Sequence, residues 1–238
     1  MILHTEIADL FRSKGAKIIA EEYVFAERLP NIKALIFDWD GVFNEGWKGD
    51  GVLSPFSEID SMGINMLRFA LWLKSGNVPQ VFIVTGLKNV SAQAIANREC
   101  FSALYLECVN KTCAMEHIDE QYGITASDMV CFFDDILDVP MAKDCSLRMY
   151  IHRKSKLLFE KYLVENNLCD YVTMSESGEP AIREICEFLL GMGGLYNETI
   201  SQRIAFSSQY KEFLAQRKLI DLQLFRFNGA NMEPYQSF

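Results

Sequence analysis

Three short apolar runs in this chain each stop at side chains able to do chemistry. Ile32-Lys33-Ala34-Leu35-Ile36-Phe37 ends in Asp38-Trp39-Asp40-Gly41, Val81-Phe82-Ile83-Val84 ends at Thr85-Gly86, and Met129-Val130-Cys131-Phe132-Phe133 ends at Asp134-Asp135. Runs that are almost continuously apolar, rather than alternating, belong to strands buried on both faces of a parallel sheet. Residues 103–106 form a weaker run of the same kind, and further strands are expected near 146–151 and 171–174. Helical spacing of apolar residues fills the gaps at about 61–75, 88–98 and 112–122, with another helix over 180–191. Strands alternating with helices of this length imply right-handed βαβ units, hence an α/β fold around a mostly parallel sheet. Ligands of open parallel sheets bind at the carboxyl ends of the strands. The pattern therefore places Asp38, Asp40, Thr85, Asp134, Asp135 and Asp138 along one edge.

The rest of the chain divides around this core. Residues 1–30 read as an N-terminal helical extension, with Ile7, Leu10, Phe11 and Ile18 near one face of a helix over 6–22 and Thr5 placed to cap it. Residues 31–194 hold the strand–helix alternation. Residues 195–238 read as a C-terminal helical tail, in which Phe206, Tyr210, Phe213, Ile220 and Leu224 recur at helical spacing, to pack on the core or on a second subunit. Residues 47–58 differ from all of these. Gly49, Gly51 and Pro55 lie among Trp47, Val52, Leu53 and Phe56, which reads as a β-hairpin or a loose flap.

Composition excludes several classes. Half of the 238 residues are apolar and 23% are charged, which rules out a disordered chain. A formal charge of −9 argues against nucleic acid and against an anionic membrane surface as partners. No stretch approaches the roughly 20 apolar residues of a membrane span. The N-terminus lacks the order of a signal peptide. Seven cysteines with no CxxC pair fit reduced thiols of a cytoplasmic protein, most simply as small buried hydrophobes, better than a disulfide framework or a zinc site. His4, His117 and His152 show no ligand spacing.

Five carboxylates on one edge would repel one another and resist burial. A hard divalent cation relieves both problems, and all-oxygen ligation suits Mg²⁺. Lys111 is available as a balancing positive charge. Taken singly, each piece has a plainer reading. The Asp38-Trp39-Asp40 triplet and Thr85-Gly86 are ordinary turn chemistry, Asp134, Asp135 and Asp138 cap a helix start, and Lys111 is a solvated lysine. Their order along the chain, with three of the four elements directly after apolar strands, makes them one metal-and-phosphate constellation.

In that order the residues resemble the haloacid dehalogenase-like (HAD) phosphohydrolases over roughly 32–190. The DxDG motif is Asp38-Trp39-Asp40-Gly41, the second motif is Thr85-Gly86, the lysine is Lys111, and the DDxxD motif is Asp134-Asp135-Ile136-Leu137-Asp138. Asp40-Gly41-Val42, Gly46 and Ile59-Asp60-Ser61-Met62-Gly63-Ile64, with Asp138-Val139-Pro140 and 179–184, look like the capless sugar-acid phosphatase branch. The resemblance implies a three-layer Rossmann-like fold with a β-hairpin flap after the first strand. The stretches from Gly46 to Thr85 and from Lys111 to Asp134 are too short for a separate cap domain. It implies a Mg²⁺-dependent phosphomonoesterase, acting through an aspartyl-phosphate on a phosphorylated sugar or sugar acid. In that scheme Asp38 is nucleophile and Asp40 acid–base. Lys111 stabilises charge, and Thr85 and Gly86 hold phosphate. Asp38, Asp40 and Asp134 bind metal, with Asp135 and Asp138 behind them. It further implies a homotetramer with the flap at the interface. The other reading is a HAD-fold binding or scaffold protein without turnover. Leu87, Phe133 and Ile59 depart from the branch, at positions where it usually carries Arg, Gly and a basic residue. These departures fall in the recognition shell and leave the core chemistry intact.

Overall fold

The run after Asn31 forms a strand because every position from Ala34 to Asp38 finds a buried environment on one face of the sheet or the other. Leu35 and Phe37 enter one apolar layer, Ala34 and Ile36 the opposite one. Each large side chain so buried contributes about 1.5–3 kcal/mol. The computed structural model describes residues 2–52 and 54–236, without the side chains of Ile2 and Leu3.

In chain order the elements are α1 (Ile2–Ser13), β1 (Lys17–Ile18), α2 (Glu22–Arg28), β2 (Ala34–Asp38), α3 (Glu58–Ser75), β3 (Gln80–Val84), α4 (Val90–Arg98), β4 (Ala103–Leu106) and α5 (Lys111–Tyr122). They continue as β5 (Met129–Phe133), α6 (Val139–Ala142), β6 (Leu147–His152), α7 (Leu157–Glu165), β7 (Tyr171–Glu176), α8 (Ala181–Met192), α9 (Tyr196–Ile204), α10 (Ser208–Arg217), β8 (Gln223–Phe227) and β9 (Met232–Pro234). Among the described residues the strands make one sheet in the order β1-β7-β6-β5-β2-β3-β4-β8-β9. Pairing is parallel throughout except at the two edges, β1 with β7 and β8 with β9. Helices cover both faces, as the α/β reading requires. From β2 the chain first runs outward through β3 and β4, then returns to lay β5, β6 and β7 on the other side. The order reverses between β2 and β5, and a crevice opens there at the carboxyl ends.

Three expectations are corrected. The helix over 6–22 is two helices with a strand between them. α1 stops at Ser13, Gly15 takes φ +109°, and Lys17 and Ile18 turn out to pair with Val172 and Tyr171. Thr5 lies inside α1, where its hydroxyl donates to Glu22 Oε2 at 3.0 Å instead of capping. The N-terminal extension therefore also supplies an edge strand.

Among its described residues the segment after β2 carries no hairpin ladder. It is the loose flap, with a turn closed by Val52 N–H to Gly49 O (3.3 Å), and Leu53 lies outside the described residues.

The tail is only partly helical. α10 is pinned to α3 by Tyr210 Oη to Asn65 (2.9 Å) and Trp72 Nε1 to Gln216 (2.8 Å). Beyond Arg217 the apolar period changes from helical to two. Leu222 and Leu224 pack on one apolar layer and Phe225 and Phe227 on the other, as β8 adds to β4.

All seven cysteines are free, and Cys108, Cys131, Cys145, Cys169 and Cys186 are buried. Among the described residues no helix is long and apolar enough to cross a membrane.

Candidate active site

Asp38 is the last residue of β2, in register with Val84 of β3, and Asp134 is the first residue past β5. The sheet thus delivers both carboxylates to the mouth of the crevice. Lys111 opens α5. A lysine there opposes the helix dipole, but Lys111 is buried and finds two acids. Its Nζ donates to Asp38 Oδ1 and lies 2.6 Å from Asp138 Oδ1. The ligand oxygens of Asp38, Asp134 and Asp138 all fall within 4.8 Å of one another. A cleft of about 330 Å³ is lined by these residues together with Asp40, Gly46, Gly86, Asp135, Arg153 and Lys156.

The plainer reading of the third cluster holds in part. Asp135 Oδ1 accepts from Ile136 N (2.6 Å), and Asp138 Oδ2 accepts from the N–H groups of Asp134 (3.2 Å) and Asp135 (3.0 Å). Both residues build the tight turn that aims Asp134, and Asp138 also turns its other oxygen to Lys111. Thr85 is buried and is not among the cleft-lining residues; its hydroxyl accepts from Leu87 N at 3.5 Å. Gly86 does line the cleft. Phe133 is buried in an apolar layer against Tyr150, ring centroids 5.5 Å apart, and is not among the cleft-lining residues. Its bulk therefore does not enter the cleft. Leu87 is exposed.

Sequence reasoning missed two lysines. Lys156 Nζ donates to Asp134 Oδ2 (2.7 Å), Asp134 O (2.9 Å) and Asp135 Oδ2 (2.8 Å). Lys48, on the flap, donates to Asp40 Oδ1 (2.7 Å). The five carboxylates are thus less naked than their number suggests. Lys156 was within reach of the rule that found the acids. It follows β6 in the basic stretch His152-Arg153-Lys154-Ser155-Lys156, at the same edge of the sheet. Arg153 ties the flap's base to the sheet by donating to Glu45 O and Ser177 Oγ, both at 2.7 Å.

Burial, reinforced by the Asp138 charge, pushes the Asp38 carboxyl well up, while the Lys111 ammonium draws it back. Burial works against the Lys111 charge too, but Asp38 and Asp138 outweigh it and raise that group. Asp134 is pushed up to about 6 by burial and by Asp138, against the pull of Lys156. Burial tends to raise Asp135 as well, but its hydrogen bonds from Lys156 and Ile136 N–H win and lower it.

Asp134 Oδ1 is buried and has no hydrogen-bond partner. A buried carboxylate oxygen left bare costs free energy unless a cation meets it. The donor set, all oxygen and anionic, fits a hard divalent metal ion.

This doubly wound sheet, with an acid at the end of its central strand, a second acid two residues on and a lysine–aspartate cluster opposite, defines a HAD-type phosphatase, a phosphoric monoester hydrolase. No family model matches the chain. It is 31% identical over 182 residues to the 3-deoxy-D-manno-octulosonate 8-phosphate phosphatase KdsC of Salmonella typhi, covering 73% of this chain and 87% of that protein. The chain belongs to the KdsC branch of the HAD phosphatases. Solved structures agree in fold. One is a putative 3-deoxy-D-manno-octulosonate 8-phosphate phosphatase from Vibrio cholerae, with TM-score 0.59 and 25% identity over 72% of this chain and 90% of that one. Another is the Moraxella catarrhalis phosphatase in complex with magnesium ion, phosphate ion and KDO, with TM-score 0.61 and 19% identity over 77% of this chain and 99% of that one.

Proposed function

We propose that this protein hydrolyses a phosphate monoester of a sugar or sugar acid by way of an aspartyl-phosphate on Asp38, with Mg²⁺ as its metal. One observation carries the reading: Lys111 holds Asp38 where one carboxylate oxygen each of Asp38, Asp134 and Asp138 lie within 4.8 Å of one another, and the buried Asp134 carboxylate keeps one oxygen without a hydrogen-bond partner.

Asp38 attacks phosphorus and forms the new P–O bond as the ester P–O bond breaks. Asp40, two residues on, gives its proton to the departing alkoxide and later takes one from the water that hydrolyses the acyl phosphate. Asp38, the backbone carbonyl of Asp40 and Asp134 would hold the metal, with Asp135 and Asp138 orienting them. When bound, the ion supplies the charge neutralisation that lets a phosphate dianion approach a carboxylate. The N–H of Gly86 holds a phosphate oxygen, and so does the Thr85 hydroxyl, which donates its own proton while its oxygen keeps the long bond from Leu87 N–H. Lys111 offsets charge in the transition state.

Leu87 offers no guanidinium fork for a substrate carboxylate. The substrate is therefore assigned by class, a phosphorylated sugar or sugar acid, and not as the octulosonate phosphate itself. We also infer a homotetramer with the flap at its interface, because Trp47 and Val52 are exposed there. A monomer by light scattering would remove that element alone.

The test is phosphate release from an aryl phosphate and from a panel of sugar and sugar-acid phosphates, with Mg²⁺ and with chelator, alongside Asp38→Asn. Metal-dependent turnover abolished by the substitution is expected. Wild type and variant equally inert across the panel would favour a binding role instead.

A further inference from the structure

Each of the five aspartates reaching the cleft is matched by a lysine. Lys111 serves Asp38 and Asp138, Lys48 serves Asp40, and Lys156 serves Asp134 and Asp135. Lys156 is the one whose place concerns the metal directly. Its ammonium grips one oxygen and the backbone carbonyl of Asp134, the other oxygen of that carboxylate is buried and has no hydrogen-bond partner, and the Asp134 carboxylate clusters with those of Asp38 and Asp138. The grip is built, not incidental. Lys156 N–H closes a turn onto Arg153 O (2.9 Å), Glu160 N–H closes the first turn of α7 onto Lys156 O (2.9 Å), and the side chain is largely covered.

We propose that Lys156 is a resident counter-charge that weakens the binding of a divalent cation on its own and so makes metal and phosphate enter the site as a pair. The inference rests on the phosphatase reading above. An incoming cation must share one carboxylate with an ammonium already hydrogen-bonded to it. A double charge against a unit charge at that range weakens binding by roughly tenfold even at the dielectric of water, and by more in a covered site. A phosphate dianion removes the repulsion by bringing negative charge to both. Coupling of this kind is reciprocal: whatever factor phosphate adds to metal affinity, metal adds to phosphate affinity. Lys156 also fixes the orientation of Asp134, which alone would favour the metal. Charge outweighs orientation here, because Asp138 Oδ2 and the β5 backbone already hold the turn that carries Asp134.

The experiment is calorimetric titration of Mg²⁺ into the full-length metal-free protein, with and without saturating inorganic phosphate, for wild type, Lys156→Met, Lys156→Gln and Lys156→Arg. No turnover is needed. Wild type is expected to bind Mg²⁺ at least tenfold more tightly with phosphate than without. Lys156→Met is expected to bind Mg²⁺ alone at least tenfold more tightly than wild type and to lose most of the phosphate effect. Lys156→Gln keeps a donor for Asp134 but not the charge. It should follow Lys156→Met, and it stands in if the latter fails to fold, while Lys156→Arg should follow wild type. Neutral variants that bind Mg²⁺ no more tightly than wild type, or a wild-type affinity indifferent to phosphate, would overturn the proposal and leave the phosphatase reading standing. A wild type that takes up no divalent cation even with phosphate would overturn both.

Discussion

Gly41 faces the carboxylate of Asp134 so closely that a Cβ added at Gly41 would stand 2.1 Å from Asp134 Oδ2, and its φ of +97° is one that L side chains rarely adopt. The glycine of the first motif is thus a clearance for the acid of the fourth. Gly41→Ala is expected to cost at least the 1–3 kcal/mol or so of a strained backbone and to displace Asp134. Urea unfolding should register the first effect and Mg²⁺ titration the second, as lost binding. An alanine variant with wild-type affinity would mean that Asp134 has room to move and is not held for a metal.

Asp40 is the residue whose assigned role depends on the leaving group. Asp40→Asn cannot donate a proton, so hydrolysis of an alkyl phosphate should fall by about 10²–10⁴. A nitrophenyl phosphate, whose leaving group needs little protonation, should lose far less in the first turnover, which releases the alcohol, while hydrolysis of the acyl phosphate, common to both esters, should slow equally. Equal losses of the first-turnover rate on the two esters would place Asp40 in metal or flap positioning instead, through its contact with Lys48.

The parts of the site legible in the sequence were those fixed by the period of a buried strand. Asp38 and Asp134 could be placed because an apolar run must end where the sheet ends. Lys48 escaped because its charge is carried into the site by a loop, whose path no periodicity reveals, whereas Lys156, just past β6, was open to the same rule as the acids. The C-terminal strand was misread for a different reason. Leu224 fits a helical spacing from Phe213 by accident of register. The alternation through Leu222, Leu224 and Phe225 acquires meaning only once β4 is known to offer an open edge. Of the two readings of residues 47–58 the loose flap holds and the hairpin does not, because its glycines and proline fit no strand template.

That open edge makes the tail testable. Phe225 of β8 stacks on Tyr105, centroids 5.3 Å apart, and meets His117 at 4.4 Å. Phe225→Ala is expected to destabilise the fold by about 2 kcal/mol, below the range for a fully buried phenylalanine because the ring is partly exposed. Removing residues 222–238 should do more, since it bares the backbone of β4 and invites strand pairing between molecules. Light scattering of the shortened chain should show concentration-dependent association, and a well-behaved, equally stable species would show that β8 adds nothing to the sheet's integrity.

Asp60 supplies a pH dependence that belongs to the fold and not to the site. It lies buried at the start of α3, where Oδ1 accepts from Arg183 N–H at 2.8 Å and so joins α3 to α8. Burial pushes its carboxyl up to about 7, against the pull of the Arg183 and Ile182 N–H groups. An unfolded aspartate titrates near 4 (~3.9). Between those two values the folded chain holds a proton that the unfolded chain has lost, so stability is greatest at the acid end of the window. It falls as pH rises towards 7, at up to about 1.4 kcal/mol per pH unit for this one group. Asp38 and Asp134, also raised, add slopes of the same sign in the metal-free protein. Comparison with Asp60→Asn isolates the buried carboxyl, because the amide oxygen still accepts from α8 but does not ionise. In chelator, from pH 5 to 8, the variant should gain on wild type as pH rises to about 7, level off above it, and be the more stable of the two at pH 8. A difference between the two proteins that stays constant across that range would mean that Asp60 is charged, and tolerated, throughout.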